Sequence, residues 1–63
     1  MDKLYKGQNV TLISKPEVIM QVVSIDYKVI NGQLTKWVIC KWHNENGILK
    51  TEPFKAEDVV LVL

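Results

Sequence analysis

Cys40 and His43 are the chain's single cysteine and single histidine, and the one pairing that could serve as nucleophile and base. Such a pair works only when the imidazole lies within hydrogen-bond reach of the thiol. Their spacing is three, and side chains alternate along a strand, so an odd spacing sends them to opposite faces. The pattern Val38-x-Cys40-x-Trp42 also places the thiol among apolar neighbours, where a buried cysteine acts as a small, inert hydrophobe. A protein-encased zinc site needs about four Cys, His or carboxylate ligands, which this sequence does not group. Glu52, Glu57 and Asp58 have no spacing that argues for two facing carboxylates; Glu57-Asp58 reads as a solvated turn. The three glycines stand singly, so there is no phosphate-cradling loop. The expectation is a chain that is not an enzyme and uses no cofactor and no metal.

The totals point the same way. A chain of 63 residues with 48% hydrophobic residues makes one small domain, 1–63, with a thin core and a stability margin of about 3–5 kcal/mol. Eight lysines, no arginine and seven acids leave a net charge of +1. That balance gives no reason for strong nonspecific attraction to nucleic acid or an anionic membrane. One cysteine allows no internal disulfide, which favours a reducing, cytoplasmic setting. The opening residues Met1-Asp2-Lys3-Leu4-Tyr5-Lys6 carry no signal-peptide pattern, and no stretch reaches the roughly 20 apolar residues that span a bilayer.

The elements that position these residues are strands. Val, Ile and Thr dominate the apolar runs, and turn signals recur about every ten residues, the spacing of a small sandwich or barrel. The first strand covers residues 8–14, with Val10 and Leu12 on one face and Thr11 and Ile13 on the other; Lys15-Pro16-Glu17 breaks it. The second runs over about 19–29 and changes phase at Val22-Val23. Met20 and Val22 share one side, and Val23, Ile25 and Tyr27 the other, as in a strand that bends at a bulge and serves two sheets. Asn31-Gly32 predicts a two-residue type I′ hairpin. The resulting register pairs Ile30 with Gln33, Asp26 with Trp37, Ile25 with Val38, and Val23 with Cys40. One face then carries Val23, Ile25, Tyr27, Val29, Leu34, Val38, Cys40 and Trp42 and is read as the core. Gly47 closes the next loop, a fourth strand covers 48–52 and ends at Pro53, residues 54–58 make a helical or 3₁₀ turn with Phe54 inward, and a fifth strand covers 59–63. The expected fold is all-β: a five-stranded SH3-like barrel with a short 3₁₀ turn before the last strand.

That register turns Trp37 outward, with Ile39 beside it and Lys28, Lys36 and Lys41 around it. A Trp at the centre of an exposed patch is a common binding anchor. Three occupants are open: the chain's own N-terminal segment (Leu4 or Tyr5) or the loop near Pro16, a protein partner or second copy, or a stacked nucleic-acid base.

The motifs Gly7-x-x-Val10-x-Leu12, Met20-x-Val22 and Val38-x-Cys40-x-Trp42, followed by Phe54 and Glu57-Asp58-Val59, resemble the YodC-like family of small uncharacterised bacterial proteins. Three features depart from that pattern: residues 14–18 lack a Gly-rich turn, residues 27–36 are longer, and His43 stands where an aromatic follows the Trp. The resemblance implies an SH3-like barrel and supplies no catalytic or binding residues. The functional expectation is a non-enzymatic protein-binding or self-associating module. Its candidate contact residues are Trp37, Ile39, Lys28, Lys41 and His43, with a nucleic-acid-binding barrel as the alternative and no membrane role.

Overall fold

A computed structural model describes residues 4–62. Its strands are β1 (Asn9–Leu12), β2 (Lys15–Ile30), β3 (Gln33–His43), β4 (Leu49–Lys55) and β5 (Val59–Leu61), with a 3₁₀ turn at Ala56–Asp58. Every pairing is antiparallel, within one sheet of order β4-β3-β2-β1-β5. Among the described residues no ladder joins β4 to β5, so the sheet is not closed. It curls nonetheless. Leu4, Val10, Met20, Val22, Val38, Cys40 and Val59 form one buried cluster, which brings the inward sides of β1, β2, β3 and β5 together.

Asn31 and Gly32 both take positive φ, 52° and 77°, and Ile30 pairs with Gln33, as a type I′ hairpin requires. The bulge at the Val-Val doublet is present, but its effect differs from the expected one. Val22, not Val23, faces Cys40; the ladder then shifts, and Ser24 faces Ile39 while Ile25 faces Val38. Val23 is the extra residue. Its insertion reverses the alternation, so Met20, Val22 and Ile25 all point inward. The phase change serves one continuous core rather than two sheets.

Both prolines lie inside strands instead of ending them. Ile13 and Ser14 form the turn, Leu12 faces Lys15, and β2 has already begun at Pro16. In the β3–β4 ladder the Asn44 N–H donates to the Ile48 carbonyl at 2.9 Å. Even-numbered residues therefore exchange the ladder bonds, and Pro53 directs its missing N–H away from β3, off the sheet edge. Thr11, on the face opposite Val10 and Leu12, is not exposed. It is buried, and its hydroxyl is positioned to donate to the carbonyls of Lys15 (3.0 Å) and Val18 (2.7 Å), beside the register shift between Thr11 and Leu12. β5 ends at Leu61, two residues short of the expected end: Val62 is exposed and outside the strand, though its N–H still donates to the Asn9 carbonyl at 3.0 Å. Leu63 and the opening Met1-Asp2-Lys3 lie outside the described residues.

The core is shorter than the alternation predicts. Val38 and Cys40 are fully buried, and Trp42 is partly buried with its ring 5.9 Å from that of Phe54. Tyr27, Val29 and Leu34 share their inward side yet are 56%, 71% and 70% exposed. The far half of the β2–β3 hairpin projects beyond the other strands, and the molecule measures 39 × 23 × 21 Å. Alternation set the side these residues face; nothing among the described residues covers them there.

Candidate functional site

Trp37 lies in the middle of β3, with Asp26 of β2 and Lys55 of β4 as its ladder partners. It points to the side opposite Val38, the outer side. The ring is partly buried, and the reason is local. The Lys28 ammonium sits 5.5 Å from the ring centroid and that of Lys55 6.0 Å from it. Both distances suit cation–π attraction, worth about 0.5–1 kcal/mol at an exposed site, and the lysine stems shield the ring from water. The indole Nε1–H is buried and has no hydrogen-bond partner among the described residues.

The other predicted contact residues separate. Ile39 sits on the same side, between Ser24 and Pro53, and is partly buried. Lys41 and His43 share that side and are exposed. They stand four and six residues further along β3, which at the usual rise is about 13 and 20 Å from Trp37. His43 instead lines a cleft of about 560 Å³ with Glu17, Trp42 and Glu45. Lys36 faces Tyr27 on the opposite side of the hairpin and is no neighbour of the Trp37 ring there. Lys55 and Pro53 do belong beside Trp37 and Ile39, and the sequence reading missed both because it ended the fourth strand at Pro53. The signal was available: counting the β3–β4 register outward from the Gly47 loop through Pro53 reaches Lys55. The N-terminal cover considered for Trp37 goes elsewhere. Leu4 is buried in the core, and Tyr5 is exposed with its N–H donating to Gln8 Oε1 at 2.6 Å.

Cys40 has no exposed surface, and its Sγ lies 3.9 Å from the Val38 carbonyl. Desolvation by burial pushes the thiol up to about 11. Its ladder partner is Glu52, whose side chain is exposed, and His43 is exposed on the outer side. The nucleophile and base are thus separated by the sheet itself. Glu57 and Asp58 are exposed in the 3₁₀ turn. Among the described residues no three His, Cys, Asp or Glu side chains gather as a metal site, and no helix is long and apolar enough to cross a membrane. No family model, curated protein or solved structure matches the chain.

Proposed function

We propose that the chain is a non-enzymatic protein-binding or self-associating module that works through the outer side of β3. Trp37 carries this reading: an outward ring beside Ile39 and Pro53, with a buried Nε1–H that lacks an acceptor among the described residues. An unpaired buried donor costs about 1–3 kcal/mol. A partner that displaces the Lys28 and Lys55 stems and presents a carbonyl or carboxylate to Nε1 recovers that cost and buries the ring. Lys28 and Lys55 then lie at the rim and set orientation, with Lys41 and His43 at the far end of the same strip.

A nucleic-acid reading has one observation in its favour: two ammonium groups over a single Trp ring suit a stacked base with flanking phosphates. The near-neutral charge and the absence of arginine weigh against it. The SH3-like barrel belongs to the same proposal, supported by the sheet order β4-β3-β2-β1-β5 and the 3₁₀ turn ahead of β5. So does kinship with the YodC-like proteins, which rests on the motifs running from Gly7 to Val59. A cytoplasmic setting is supported by a cysteine kept free and buried.

The test is a pair of NMR titrations followed at the Trp37 indole N–H, one against rising protein concentration and one against a mixed oligonucleotide pool. Shifts in the first that persist as salt is raised support the protein reading. Shifts in the second that collapse with salt support nucleic acid, since phosphate contacts release counterions. An indole N–H that moves in neither overturns Trp37 as a contact for a second copy or a nucleic acid.

A further inference from the structure

The far half of the β2–β3 hairpin has an open edge as well as an open face. β1 pairs with β2 only as far as Gln21, and the segment before β1 bonds it as far as Val22. Beyond the bulge nothing among the described residues pairs with that side of β2. In a two-residue hairpin the residues flanking the turn exchange both backbone bonds, and alternate pairs follow. Ile30, Lys28 and Asp26 therefore bond across to Gln33, Thr35 and Trp37, while the N–H and C=O groups of Ile25, Tyr27 and Val29 point outward from the sheet. The Tyr27 N–H fits this assignment: it donates to the side-chain Oδ1 of its neighbour Asp26, at 2.9 Å, and not to β3.

We propose that this edge pairs antiparallel with the same edge of a second copy, in the register that sets Tyr27 opposite Tyr27. Charge selects the register. Only registers that match odd residues with odd residues let the outward groups bond. With Tyr27 opposite Tyr27, Asp26 of each copy faces Lys28 of the other, twice over. A shift one way sets Lys28 against Lys28, and a shift the other way sets Asp26 against Asp26. Like charges directly opposite oppose pairing, and opposite charges favour it. The same register places Val29 of each copy beside Ile25 of the other, so the exposed Val29–Leu34 end of one hairpin continues the inward Ile25–Val38 pair of its partner. The arrangement is two-fold symmetric and closed, so it ends at a dimer. In the separate chain Asp26 occupies the Tyr27 N–H and guards the edge. In the dimer that N–H passes to the partner's Tyr27 carbonyl, and the carboxylate turns to the partner's Lys28. The inference concerns the edge of β2 and does not rest on Trp37 as the contact.

Sedimentation across a concentration series tests it, with three variants at exposed positions and circular dichroism to check folding. The wild-type chain should form a reversible dimer. Asp26→Lys and Lys28→Asp should each weaken it at least tenfold, because each creates like-charged pairs in both halves of the interface. The double variant carrying both changes should restore it. Amide exchange at Tyr27 should slow as the dimer fills. A chain that stays monomeric at millimolar concentration overturns the proposal. So does a dimer that the double variant fails to recover, or Tyr27 amide exchange that stays unchanged as the dimer fills. A dimer lost on Trp37→Ala and untouched by Asp26→Lys would place self-association on the outer face of β3 instead.

Discussion

The two halves of the β2–β3 hairpin have the same apolar alternation and opposite fates. Near the bulge, Val22, Ile25, Val38 and Cys40 face inward and close against Leu4, Val10 and Val59. Toward the Asn31-Gly32 turn, Tyr27, Val29 and Leu34 continue the same side and remain largely exposed. Two strands alone are marginally stable in water; a third strand or a covering layer is needed. The inner half gains that cover from β1, β4 and β5. The outer half has none within the described chain, and exposed apolar side chains beside unpaired backbone groups are the usual signature of a docking edge.

One pair of substitutions tests the contrast most severely. Val38 and Val29 lie on one side of one hairpin, so the same new charge probes cover alone. Val38→Asp puts a carboxylate where there is no exposed surface. An unpaired buried charge costs several kcal/mol, as much as a domain this small has to lose. The variant should be unfolded by circular dichroism. Val29→Asp should keep the monomer within about 0.5 kcal/mol, as surface changes usually do, and should disrupt pairing through the β2 edge. Equal destabilisation by the two would show that the outer half is covered after all.

The two tryptophans make the same comparison across the sheet. Trp42 packs its ring on Phe54 and against the core, while Trp37 is shielded by two lysine stems. Truncating a core aromatic costs about 3–5 kcal/mol, so Trp42→Ala should sit near the lower end of that range and leave the domain barely folded. Trp37→Ala should cost about 1 kcal/mol, since it removes modest cation–π contacts together with a donor that has no acceptor among the described residues. Chemical denaturation of both variants provides the check. If Trp37→Ala matches Trp42→Ala, Trp37 is structural and the outer side of β3 loses its claim as a site.

How far these features were legible in the sequence follows from which forces are local. Asn31-Gly32 set the hairpin register correctly from Ile25 outward, because turn geometry is a property of a few residues. The bulge was legible at Val22-Val23, but its direction was not: whether Val22 or Val23 is the extra residue depends on which side the core of β1 and β5 lies. Pro16 and Pro53 misled for one shared reason. Proline excludes a ladder bond only where there is a partner: Pro53 turns its missing N–H off the sheet edge, and Pro16 falls in the register shift where β1 leaves residues 16–18 unpaired. Edge status and bulge position are both properties of the whole sheet. Exposure of Tyr27, Val29 and Leu34 was hidden for the same cause, since period-two alternation reports direction and not depth. The outward Trp37 was read correctly, whereas its actual neighbours Lys55 and Pro53 were lost with the strand that carries them.

Cys40 offers the mildest probe of the covered half, through alkaline pH. Its thiol is raised from 9.0 to about 11 by desolvation. Well below pH 9 the folded and unfolded states both hold the proton, and the thiol adds no pH dependence. Between pH 9 and about 11 the unfolded chain ionises first and binds fewer protons than the native state, so stability falls as pH rises. A gap of about two units corresponds to about 2–3 kcal/mol at most. Other groups titrate in this window, so the comparison is with Cys40→Ala, which keeps the site apolar and removes the titration. The wild-type chain should lose about 2 kcal/mol more than the variant between pH 8.5 and 11 in urea denaturation, and at pH 7 it should resist thiol reagents until denaturant is added. Parallel pH profiles for the two proteins, or rapid labelling of native Cys40, would mean that water reaches the thiol. The inner half of the hairpin would then be no better covered than the outer, and the contrast between them would rest on Val22, Ile25 and Val38 alone.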